Sequence, residues 1–251
     1  MKSRIYTILE IMFIALFLIS AYKLYTIYSN YSKGDEIYKE SADTYLSVEE
    51  NTDESGVKEN SFTVDFEALK EENAETLGWI LIEDTPVNYP LLQTDDNDYY
   101  LKHTYNRIYS DFGSIFLDYR CSPDLTDKNT IVYGHNTKND SMFGSLKKYK
   151  DAAYLEEHPF IYIIYEDYIY KYAIFSMFTT TTSSDVYNLN FESAAEYRQW
   201  IRDMHAQTVT DTGEYKPTGK EKIITLSTCT SRTEEERFVV LAMQVEAEEN
   251  K

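Results

Sequence analysis

The sequence predicts a mainly β domain, a closed or nearly closed barrel with peripheral helices, behind an N-terminal transmembrane helix. Three observations carry this. At least seven strand-like segments follow residue 61, many built on alternating tyrosines, which pack well on a pleated surface. Only two or three helical segments interrupt them, without regular βαβ alternation, so a doubly wound parallel sheet does not fit. The first 25 residues hold one long apolar run.

That run, Ile5 to Tyr22, is broken mainly by Glu10, and with its flanks it is long enough to span a bilayer as a helix. Lys2 and Arg4 precede it, which predicts a cytoplasmic N-terminus and an extracellular remainder. No small-x-small cleavage pattern precedes Lys23, so residues 1–25 read as an uncleaved anchor rather than a signal peptide. Glu10 lies within two turns of the cytoplasmic end, where it can snorkel. Residues 26–60 are acidic and poor in large aliphatics, and read as a stalk, part helical, with Glu49 to Asn60 lacking fixed structure.

Residues 61–246 form the predicted domain, followed by a short tail, 247–251. "VDFEALKEENAETLGW" reads as a helix capped by Asp65, with Phe66, Leu69 and Leu77 on one face and Gly78 at its end. "WILIE", "VNYPLLQ", "GSIFLDYR" and "NTIVYGH" read as strands. "SMFGSLKKYKDAAYLEEHP" is helical up to Pro159. "FIYIIYE" and "YIYKYAIFSMFTT" form a hairpin across an acidic turn. "SAAEYRQWIRDMHA" is an amphipathic helix whose buried side holds Ala195, Trp200, Ile201 and Met204. "EKIITLSTC" and "RFVVLAMQV" are the last strands.

The formal net charge of -19 disfavours nucleic-acid binding, since a phosphate backbone would be repelled. No CxxC, HExxH, GxSxG or phosphate-binding glycine loop is present, so no metal or cofactor is expected. Attention falls on Cys229 and His135, each at the end of a strand-like run, where a barrel rim would present them. On spacing alone two readings stand. Cys229 is a nucleophile with His135 as its base, or it is a small buried hydrophobe and His135 a turn residue. A Cys121–Cys229 disulfide is also open. Arg237 begins the strand after Cys229, and a hairpin would return it to the same rim, where a guanidinium can bind an oxyanion. A salt bridge to Glu234 or Glu235 is the alternative. Arg232, inside the loop, reads as a solvated ion-pairing residue.

Larger motifs weigh on this choice. "TLSTC" followed by Arg237 resembles the TLxTC…R signature of sortases. "NTIVYGHNTKNDSMFGSLKKY" and "DNDYYLKHTYNRIYSDFGSIFLDYR" resemble segments of the class B branch, as does a helix inserted before the last two strands. The similarity runs from about residue 62 to 245. It implies a cysteine transpeptidase that cuts a C-terminal sorting signal, NPQTN-like or xPxTG-like, after its threonine and passes the acyl group to a peptidoglycan amine. It further implies Cys229 as nucleophile, His135 as acid/base and Arg237 as oxyanion or substrate-positioning residue. Ser227, Thr228, Tyr187, Asn88 and Leu92 are the implied substrate-groove positions. A free Cys229 thiol follows, and the expected partners are exported proteins carrying the signal, the wall amine and the membrane. The competing class is a membrane-anchored extracellular β-domain that only binds a surface partner.

Overall fold

The computed structural model describes residues 2–52, 58–213, 215–230 and 233–250. The chain opens with one helix, α1 (Lys2–Tyr45). Its apolar part is solvent-facing from Ile5 onward, and it is long and apolar enough to cross a membrane. The rest of α1 packs on the domain. Tyr31, Gly34, Tyr38, Ser41 and Tyr45 recur three or four residues apart and so share one face. Tyr38 and Ser41 are buried on it. The ring of Tyr38 stacks on Phe112 at 5.8 Å and meets the edge of Tyr89 at 5.2 Å. At Gly34 a Cβ would lie 2.4 Å from the Phe112 ring, so only glycine lets the helix approach this closely.

The segment expected to be a stalk is therefore helical to Tyr45 and docked. It continues as β1 (Leu46–Thr52) and β2 (Lys58–Val64), an antiparallel pair. The described parts of the Glu49–Asn60 stretch, expected without fixed structure, thus form a hairpin, and residues 53–57 lie outside the described residues. Alternation on β2 explains it: Phe62 and Val64 are buried, with Phe62 against Tyr162 at 4.9 Å.

The next helix, α2 (Phe66–Glu72), is capped by Asp65, which accepts from the Ala68 N–H. It stops at Asn73, earlier than the sequence suggests. The buried Asn73 amide donates to Tyr100 Oη and Tyr105 O, and its Oδ1 accepts from Glu75 N–H and Arg107 Nε. Those bonds turn the chain into β3 (Thr76–Leu81). Gly78 belongs to that strand, where a Cβ would sit 2.7 Å from the Ile164 carbonyl.

Seven more strands complete the barrel: β4 (Asn88–Leu92), β5 (Ile115–Leu117), β6 (Asn129–Tyr133), β7 (Phe160–Ile164), β8 (Tyr168–Thr181), β9 (Ile223–Cys229) and β10 (Glu236–Glu249). They close in the order β10-β8-β7-β3-β4-β5-β6-β9. The β4/β5 and β6/β9 pairs are parallel and the rest antiparallel. The helical stretch before Pro159 is split into a 3-10 turn, Gly144–Lys150, and α3 (Ala152–Glu157), because Asp151 starts a new helix by accepting from Ala153 N–H.

Period-two alternation sorts the last strands into two cores. Ile224, Leu226, Phe238 and Val240 face the main core, while Ile223, Val239, Leu241 and Met243 face outward. The outward set is covered by α4 (Ala194–Ala206), capped by Ser193 and burying Tyr197, Trp200, Ile201 and Met204. Ala195, expected on that side, is exposed, and Tyr197 takes its place.

Candidate active site

Backbone register brings the end of β9 together with two neighbours. Cys229 pairs directly with Arg237 across the antiparallel β9/β10 ladder. Directly opposed side chains share a face, with Cβ atoms about 4.5–5.5 Å apart. On the other side, Tyr133 of β6 pairs with Ser227, and the Gly134 N–H donates to the Ser227 carbonyl at 3.2 Å. His135 lies two residues past Tyr133, as Cys229 lies two past Ser227, so both leave the barrel at one level. By alternation Cys229 has the outward parity of Ile223, whose face α4 covers; at the rim that cover ends and Cys229 is exposed. Cys121 is buried and both thiols are free, so the disulfide does not form.

These residues line a cleft of about 320 Å³. Cys229, His135 and Arg237 contribute to it, as do Ser227, Thr228 and Tyr187. Asn88 and Leu92 do not. Leu92 is fully buried, and Asn88 Oδ1 accepts from Trp79 Nε1 at 2.6 Å. The wall expected from them is built by Asn97 and Leu101, joined by Arg120 and Tyr133. A smaller hollow, about 170 Å³, opens beside the same cysteine and holds Asn136, Lys147 and Lys150. Cys229 thus lines two hollows.

His135 is half-buried and held from several directions. Its Nε2 lies 2.7 Å from the Leu101 carbonyl, which can only accept, so that nitrogen carries the proton of the bond. Its own carbonyl accepts from Phe143 N–H. Beneath it sits Gly113, at φ +63°, where a Cβ would come 2.7 Å from His135 Cδ2. Arg237 Nη1 donates to the backbone carbonyls of Glu234 and Glu236, at 2.6 and 3.1 Å. Among the described residues no carboxylate pairs with it, so the guanidinium is aimed by main chain and keeps donors for a ligand. Arg232 lies outside the described residues.

Hydrogen bonds lock the far wall. Tyr187 Oη is 2.8 Å from Ser227 Oγ, and its ring stacks near Tyr133 at 6.5 Å. Burial pushes the Tyr187 hydroxyl up, against the opposing effects of Ser227 and Arg237, so it stays protonated. Tyr133 donates to the fully buried Asp118, which also accepts two bonds from the Arg120 side chain. Burial alone would raise the Asp118 carboxyl; Arg120 and Tyr133 outweigh it and hold it below the usual carboxylate range. Below Tyr187, buried Asn129 donates to the carbonyls of Val186 and Asn188, at 2.9 and 3.0 Å, and accepts from Thr225 Oγ1 at 2.8 Å. Asn129 and Asn97 carry no local sign of a site role, because their partners Val186, Asn188, Thr225 and Tyr119 are distant in the chain; Arg120 pairs with Asp118 only two residues away, and that spacing is the signal that could have found it.

A family model described as the sortase domain matches residues 80–245. The chain belongs to the sortase family. Sortases are cysteine transpeptidases, and the relatives are of the class B kind. Sortase B of Listeria monocytogenes is 40% identical over 171 residues, which covers 67% of this chain and 68% of that protein. The crystal structure of sortase B from Bacillus anthracis in complex with AAEK1 superposes with a TM-score of 0.73 at 32% identity, covering 87% of this chain and 99% of that one. A Staphylococcus aureus sortase B–substrate complex gives 0.68 at 33% identity, covering 72% and 84%. As a sortase, the chain carries a barrel similar to those structures, with an α1 that packs on that barrel's flank.

Proposed function

We propose that this sortase is a membrane-anchored transpeptidase that cleaves a C-terminal sorting signal, NPQTN-like or xPxTG-like, after threonine. It transfers the new carboxyl end to a peptidoglycan amine. The observation that carries the reading is the direct pairing of Cys229 with Arg237, in one cleft with His135. The Cys229 thiolate attacks the threonine carbonyl and forms the C–S bond. Arg237 stabilises the oxyanion that develops. Collapse breaks the C–N bond, and His135 gives its proton to the leaving amine. The thioester that remains is attacked by the incoming amine, neutral His135 takes the amine's proton, and Cys229 leaves as thiolate. Two hollows lined by Cys229 suit a reaction in which donor and acceptor arrive separately.

Ser227, Thr228 and Tyr187 line the signal-binding wall in this reading, with Asn97 and Leu101 opposite. Thr228 Oγ1 is buried and makes no hydrogen bond among the described residues. The helix α1 anchors the enzyme with the N-terminus in the cytoplasm and the domain outside, where exported proteins and wall precursor meet.

The test is a peptide-library cleavage assay with Cys229→Ala as control, run with and without an amine acceptor. Cleavage after threonine, loss in the control and a ligated product with the acceptor are expected. Undiminished cleavage by Cys229→Ala would sink the reading.

A further inference from the structure

The helix that leads out of the candidate membrane span reaches the catalytic machinery, and nothing in its acidic sequence announces this. After His135 the chain makes a tight loop, residues 136–143, closed by a bridge between Asn136 and Met142. Thr137 Oγ1 donates to the Ser141 carbonyl inside it, and Asp140 and Met142 both adopt positive φ. Such a loop holds its shape only if its surroundings determine it. Two of its side chains are gripped from α1. Ser141 Oγ and Asn139 Nδ2 both donate to the Asp35 carboxylate, each at 2.5 Å. A charged acceptor makes these stronger than neutral hydrogen bonds.

One turn further along α1, Tyr38 reaches the other side of the histidine. Its hydroxyl donates to the Gly113 carbonyl at 2.6 Å and lies 2.8 Å from Ser114 Oγ. Gly113 is the residue against which the His135 ring rests. Tyr89, which packs on Tyr38, accepts from the Met142 N–H at 2.7 Å. So the loop that follows His135 and the glycine beneath its ring are both tied to one face of α1, within a single helical turn.

We infer that Asp35 and Tyr38 are positioning residues for His135, which makes the anchor helix part of the active-site scaffold as well as an anchor. The inference rests on His135 being the proton donor to the leaving amine. Displacement of a catalytic group by about 1 Å can cost on the order of 10²-fold in rate. Loss of one grip, with Gly113 still fixed by Tyr38, is expected to cost about tenfold.

The experiment uses the full chain in detergent and two forms of one signal peptide, the amide and its thioester counterpart at the scissile bond. The readout is single-turnover acylation: there a thiolate leaves without a proton, so the thioester bypasses the proton that His135 gives to a leaving amine, while the later deacylation is common to both substrates. Asp35→Ala is expected to lower the single-turnover acylation rate for the amide about tenfold, with half-saturation within twofold and the thioester acylation rate unchanged. Asp35→Asn keeps an acceptor oxygen and should recover at least half of the loss on a logarithmic scale. Tyr38→Phe, which removes only the hydroxyl, should show the same selective loss. Equal losses on both substrates, or no loss on the amide, would overturn the inference while leaving the assignment of His135 intact. His135→Ala separates the two: if it cleaves the amide at the wild-type rate, the catalytic reading falls first and this one with it.

Discussion

Replacing Asn129 with alanine is a sharp test of how the far wall of the cleft is held. Asn129 is fully buried on β6 and makes three hydrogen bonds, two to the carbonyls of Val186 and Asn188 and one from Thr225. Each contributes about 0.5–1.5 kcal/mol net, so their loss predicts a destabilisation of about 3 kcal/mol. For a chain of this size that corresponds to a Tm lower by roughly 6–12 °C. The freed carbonyls flank Tyr187, whose hydroxyl meets Ser227 in the cleft. Slackening that contact predicts a roughly 2- to 10-fold rise in KM for a signal peptide, the equivalent of one hydrogen bond. Thr225→Val is the control: it removes one of the three bonds, costs about 1 kcal/mol and leaves the tether of Tyr187 in place. Scanning calorimetry gives the Tm, and steady-state peptide cleavage gives KM. A Tm within 2 °C of the parent would refute the hydrogen-bond accounting. A lowered Tm with unchanged KM would refute the claim that Asn129 acts on the cleft through Tyr187.

Other outcomes follow from the same geometry. Arg237→Lys should lower kcat about 10²–10³-fold, the cost of one oxyanion donor, because lysine cannot both hold the Glu234 carbonyl and point a second donor at the site; a loss under threefold would argue that Arg237 is not aimed at the reaction. Gly113→Ala should cost about 1–3 kcal/mol for its left-handed backbone and depress kcat, since the new methyl meets His135 Cδ2; urea unfolding and kinetics read both, and unchanged kcat would contradict the contact. Iodoacetamide at pH 8 should label the native chain once, at Cys229, because burial pushes the Cys121 thiol up to about 12; mass spectrometry of the labelled peptide checks it. That raised value carries a sign. The folded state keeps the Cys121 proton when the unfolded chain has lost it, so stability is full below the unfolded pKa of about 8.5 and declines as pH rises toward 12. In Cys121→Ala the alkaline slope should be shallower than in the parent, and equal slopes would discount the cysteine.

Much of this molecule was legible in order along the chain. Strand segments, the capping role of Asp65 and the buried face Trp200, Ile201 and Met204 each depend on neighbours a few residues away, and period and propensity report such neighbours. The pairing of Cys229 with Arg237 was legible too, because a hairpin with a short loop fixes register locally. Misplaced readings have one cause in common. The helix after Asp65 stopped early because Asn73 is bonded to Tyr100 and Tyr105, some thirty residues on. Asn88 and Leu92 gave way to Asn97 and Leu101 because barrel closure, not strand order, decides which residues face the rim.

The sequence by itself determined a β-rich domain behind one apolar helix, the residue types able to perform acyl transfer, and the order in which they leave their strands. Only the tertiary structure decided that Asp35 bonds to the loop after His135 and Tyr38 to Gly113 beneath its ring. Their acidic, tyrosine-spaced segment reads as solvated by composition, because composition counts charges and not the partners that satisfy them. Ser141, Asn139 and Gly113 lie 75 to 106 residues away and supply those partners. Contacts across such separations are set by how the barrel closes, and no local pattern encodes them.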